Sequence, residues 1–196
     1  MRRTLLAAAF VLVPGLALAH PGLPGHPHDF ADGALHPLTG LDHVLAMVAI
    51  GLFAAQLGGR ALWLVPASFV VTMAAAGAAG MAGLALPYVE AGIALSILVL
   101  GAAIALEMTM PVAAAMGLVA LFAVFHGHAH GAKMPETMSG LTYGAGFVAA
   151  TAALHALGIG LGLAIGRTSE LFGRRVLQVG GSAAALAGAA LLAGAM

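Results

Sequence analysis

The 196-residue sequence contains no cysteine, which excludes disulfides, thiolate zinc sites and iron–sulfur clusters together. Charge is nearly as scarce. Asp, Glu, Lys and Arg make up 7% of the chain, against roughly 25% in a soluble domain. Seven acidic and seven basic residues cancel, so nucleic acid is not an expected partner. There is no G-x-x-x-x-G-K-[ST] run, and any ATP drive would need a partner protein. What remains is apolar, with 62% hydrophobic residues and a mean hydropathy of +1.06. The predicted class is all-α: a polytopic membrane protein with the lipid bilayer as its solvent.

Against this background nine histidines stand out. With thiolates absent, a metal site must be built from His, Asp, Glu, Met or backbone groups, and imidazole is the donor best matched to a borderline divalent cation near neutral pH.

Residues 1–19 have the form of a cleaved signal peptide: Arg2 and Arg3, an apolar core from Leu5 to Leu16, then Ala17-Leu18-Ala19, a small-residue cleavage site. The alternative is an uncleaved first span. Residues 20–35 are rich in Pro, Gly, His and Asp and predict an irregular extracytoplasmic leader. There His20, His26, His28, Asp29 and Asp32 either collect metal loosely or are incidental to a solvated segment. The rest, 36–196, reads as one transmembrane domain.

Six apolar segments follow, at about 37–57, 61–83, 87–106, 110–130, 138–165 and 174–195, each near the roughly 20 residues that cross a bilayer. This predicts a bundle of six transmembrane helices with both mature ends outside. Arg60, Arg167, Arg174 and Arg175 then lie in the cytoplasmic loops and only Lys133 outside, the asymmetry that the positive-inside rule requires. For a bacterial chain the membrane is the inner one, with both termini periplasmic. Runs such as residues 74–83 and 181–195 are dense in Gly and Ala, which lets helices approach closely and leaves room for a homo-oligomer. No internal repeat is evident.

Topology and residue type together point to one membrane face. His36, Asp42 and His43 open the first span, Glu90 the third, and His126, His128 and His130 close the fourth. On a straight helix His36, His43 and Met47 fall within roughly 40° of one another, while Asp42 lies about 100° from His43. Asp42 therefore either joins the ligands through a break at Pro37 or Gly40, or holds an imidazole from behind. His126 and His130 share a face, and His128 points away unless a glycine bends the helix. The expected metal ligands are His36, His43, His126 and His130, then Asp42 and Glu90. Any one of these histidines alone would read as an interfacial residue bonded between helices. His155, past the middle of the fifth span, is either a relay for an ion moving inward or a core histidine. Glu107 marks an exit or merely a solvated helix end.

The stretches HPLTGLDHVLAMVAIG (36–51), VEAGIALSILVLG (89–101) and FHGHAHGAKMP (125–135) resemble the HupE/UreJ family of hydrogenase and urease accessory membrane proteins. The resemblance covers essentially the whole mature chain. It implies a nickel permease, with cobalt as second substrate, having a cleaved leader, a histidine such as His20 directly after it, and six spans. Under it His36, Asp42 and His43 match the first-span motif, and Glu90, His126 and His130 the other polar positions. The first motif is also similar to the H-x4-D-H signature of nickel/cobalt permeases, with five residues here between His36 and Asp42. One departure is Lys133, where the family shows an acidic residue.

The function these features predict is uptake of nickel or cobalt for hydrogenase or urease maturation. The metal is cargo rather than a prosthetic group, no cofactor is required, and a metallochaperone would be the natural cytoplasmic recipient. Two other classes compete. An intramembrane zinc hydrolase could use the same His/Asp cluster, with Asp42 or Glu90 as base. A haem protein would need facing histidines at matched depth.

Overall fold

The computed structural model describes residues 30–134 and 138–195. Among the described residues every regular element is a helix: α1 (Phe30–Thr39), α2 (Leu41–Leu57), α3 (Ala61–Met81), α4 (Val89–Ala105), α5 (Val112–Gly131), α6 (Met138–Gly166) and α7 (Glu170–Ala195). The expected signal peptide, His20, His26, His28 and Asp29 lie outside the described residues.

The apolar stretches form helices because a chain in lipid must satisfy its own backbone hydrogen bonds. They pack by backbone proximity. A Cβ at Gly127 or Gly131 of α5 would run into the carbonyls of Met73 or Gly77 of α3. The same holds where Gly51 of α2 meets the His155 carbonyl of α6, and where Gly101 of α4 meets Gly181 of α7. In lipid, association comes from such close packing rather than from hydrophobic transfer. Phe53, Phe69, Met47, Ile50, Ile97 and Leu100 fill the interior, while Trp63, Val71, Val179 and Leu186 face outward.

Two expectations are corrected here. The stretch beginning at His36 does not run on as one helix: α1 and α2 meet at 85°. Gly40 between them is extended at φ −88°, ψ 114°. Pro37 lies in the last turn of α1, and the Thr39 hydroxyl donates to the His36 carbonyl at 2.9 Å, satisfying a helix end that the bend leaves open. The segment expected to be irregular up to residue 35 is instead helical from Phe30. It is held because Gly33 abuts the Tyr143 carbonyl and Gly146 the Phe30 carbonyl.

Among the described residues four helices are long and apolar enough to cross a membrane (Ala61–Met81, Val112–Gly131, Gly140–Gly166 and Glu170–Ala195), and α1 with α2 makes a fifth if the bent pair is one span. α4, at 17 residues, is about 25 Å long and falls short of the hydrocarbon thickness. By length and composition the described residues thus supply four or five spans, with α4 as a shorter apolar helix beside them.

The two ends of the bundle differ chemically. α2 and α4 start, and α3 and α5 finish, at one end, where His36, His43, His126, His128 and His130 lie. At the other, Glu107 (φ 52°) accepts from Arg174 Nε at 2.7 Å and from Gln178 Nε2 at 2.9 Å.

Candidate functional site

His43 occupies the first turn of α2 and is 4% exposed, and His126, near the end of α5, is 0% exposed. α5 can carry histidines so deep because Gly127 and Gly131 let it sit directly on α3. The His43 ring lies 4.9 Å from His126 and 4.4 Å from His130, both edge to face. His36, delivered by α1 through the bend at Gly40, places its ring 4.9 Å from His130. Phe147 of α6 covers the group, 4.4 Å from His130 and 5.8 Å from His43.

The hydrogen-bond network assigns the tautomers. The Ser96 hydroxyl donates to the Ile93 carbonyl at 2.6 Å, so its oxygen accepts from His126 Nε2–H at 3.0 Å. His126 Nδ1 then carries a lone pair. Asp42 Oδ1 accepts from the His43 backbone N–H at 2.9 Å and lies 3.5 Å from His43 Nδ1, which favours the proton on Nδ1 and a lone pair on Nε2. These two lone-pair atoms, His43 Nε2 and His126 Nδ1, are 3.4 Å apart. Two nitrogens bound tetrahedrally at 2.0–2.1 Å would stand about 3.3 Å apart. That is the spacing of a chelate.

His130 closes the arrangement, donating from Nε2 to His43 Nε2 at 2.7 Å. That distance is too short to admit an ion between the two atoms. Accordingly, among the described residues no three His, Asp or Glu side chains stand ready to hold a metal together. Admitting one requires the His43–His130 bond to open and His130 to move its proton to Nδ1.

The structure thus gathers His36, His43, His126 and His130, with Asp42 behind His43. It does not bring in the others. His128 donates from Nε2 to the Leu84 carbonyl at 2.6 Å, tying α5 to the loop after α3. Glu90 reaches the same end but faces out, 3.9 Å from Lys133 with both side chains largely exposed. His155 is buried separately on α6, its ring 5.2 Å from Phe69. Ser96, 1% exposed, was not singled out by the sequence, nor were Phe69 and Phe147. A lone serine in an apolar helix carries no signal of its own; only its spacing of six from Glu90 puts it inside the same helix end.

The chain matches the family described as HupE / UreJ protein over residues 8–191. It is 48% identical over 192 residues to a protein named Protein HupE from Rhizobium leguminosarum bv. viciae, covering 97% of this chain and 96% of that one. No solved structure matches it. The motifs around His36, Glu90 and His126 therefore sit in a chain that belongs, over nearly its whole length, to the HupE/UreJ family.

Proposed function

We propose that this protein carries a divalent transition-metal ion, nickel first and cobalt second, inward across the bacterial inner membrane to supply hydrogenase or urease maturation. The observation that carries the reading is the 3.4 Å approach of His43 Nε2 and His126 Nδ1, the two nitrogens left unprotonated by the hydrogen-bond assignment, at the end of the bundle where His36 and His130 also converge. Imidazole nitrogens select nickel, cobalt, copper and zinc over magnesium and calcium. A donor set without thiolate holds an ion and also releases it, as passage requires. Membership of the HupE/UreJ family supports nickel among these metals.

In this account α1 and α2 form the first span, and α4 crosses as a short sixth helix where the bilayer thins to meet it. The histidine end faces the periplasm and both mature termini lie there. The ion sheds water onto His43 and His126, His130 swings in as His36 steadies it, and Asp42 holds the His43 ring in its ligating tautomer. The cargo leaves at the Glu107–Arg174 end toward a metallochaperone. The zinc-hydrolase reading gains nothing from the geometry. Of its two candidate bases, Glu90 turns to Lys133 and Asp42 lies against His43.

Purified protein in liposomes loaded with a chelating dye tests the reading, with nickel, cobalt, zinc and copper offered outside. Nickel or cobalt influx that depends on the protein supports it. Tight metal binding without flux sinks it.

A further inference from the structure

Deep in the bundle, His155 is 1% exposed and neither ring nitrogen has a hydrogen-bond partner. Buried polar atoms without partners are rare and ask for an explanation. His155 stands eight residues after Phe147, which places it about 12 Å farther along α6 from the cover of the histidine cluster. Its carbonyl lies against Gly51 of α2, and its ring meets the edge of Phe69 from α3 at 5.2 Å and 87°. The same Phe69 ring lies 5.6 Å from His126. Phe69 is fully buried, and it is the neighbour that the innermost imidazole of the cluster and the isolated imidazole share. One turn along each helix, the Thr151 hydroxyl donates to Met73 Sδ at 3.9 Å, so a thioether borders the same interface between α3 and α6.

We propose that His155 is a second, inner metal station, and that the Phe69 ring is the closed gate between it and His126. This deepens the transport reading and rests on it. Two imidazoles at different depths, with a soft sulfur between their levels, suit a borderline divalent cation that moves by ligand exchange. A single aromatic ring keeps the stations apart without putting a charge in the low-dielectric interior, and conduction needs several sites of moderate affinity rather than one tight one. Rotation of the ring about its χ angles opens the route. No covalent chemistry is involved.

The test pairs nickel uptake into proteoliposomes with nickel stoichiometry from equilibrium dialysis of the whole purified protein, for wild type, His155→Gln, Phe69→Leu and Phe69→Trp. His155→Gln is expected to bind one nickel fewer per chain while keeping the outer site, and to lower uptake about tenfold. Phe69→Leu should raise uptake about threefold and Phe69→Trp lower it, with outer-site binding, which reports folding, unchanged in both. Equal stoichiometry in wild type and His155→Gln overturns the inner station whether or not the protein transports. Uptake indifferent to both Phe69 substitutions overturns the gate. Wild type that binds nickel at two sites yet passes none refutes transport and the gate while leaving the inner site.

Discussion

Ser96→Ala offers the sharpest test of how the cluster is set for an ion. Ser96 oxygen is the partner of His126 Nε2–H, and His126 is 0% exposed, so no solvent replaces the lost acceptor. An unsatisfied buried donor costs about 1–3 kcal/mol. The imidazole avoids that cost by moving its proton to Nδ1, but this blocks the lone pair that faces His43. Either way the ligating tautomer is penalised, and at 1.4 kcal/mol per factor of ten the loss in nickel affinity is roughly tenfold to a hundredfold. Titration calorimetry on the solubilised protein near neutral pH reads it directly. Ser96→Thr should bind nickel like wild type, because threonine in a helix keeps a hydroxyl able to bond the preceding turn. Unchanged affinity in Ser96→Ala would refute the tautomer assignment and with it the lone-pair chelate.

Other consequences follow from the packing. His128→Ala removes the bond to the Leu84 carbonyl and should lower stability by about 1 kcal/mol in thermal unfolding, with nickel affinity unchanged. Gly131→Ala drives a methyl into the Gly77 backbone, so α3 and α5 must separate. It should cost about 1–3 kcal/mol and weaken nickel binding, whereas Gly117→Ala, with open space around it, should leave both unchanged. Lys133→Ala breaks a pair in which both side chains are about three-quarters exposed (75% and 69%); melting should not shift, since such pairs contribute about 0–1 kcal/mol.

Much of this was legible in the sequence, for a physical reason. The spacing of four that sets His126 and His130 on one face is a property of the helix, and the apolar segment lengths carry His43 to the same end of the bundle. That His128 points away from His126 and His130 followed from the same period. What escaped the sequence depended on tertiary contacts. Pro37 and Gly40 marked a break, but not its 85° angle, which depends on α1 packing against α6 through Gly33 and Gly146. Glu90 reached the predicted end, yet its side chain turned outward to Lys133. Ser96 was silent because its role exists only once α4 lies against α5. The histidine end was readable as a place, and its hydrogen-bond order was not.

Transport through the cluster is the central claim, and nickel uptake by oriented proteoliposomes, wild type beside His43→Ala and His130→Ala, tests it most directly. His43 Nε2 accepts from His130 and stands 3.4 Å from His126 Nδ1, so its loss should abolish uptake, while His130→Ala, which keeps both of those nitrogens, should retain a small fraction. Uptake in His43→Ala at the wild-type rate would contradict the account, because the ion would then be crossing by a route that does not touch these imidazoles.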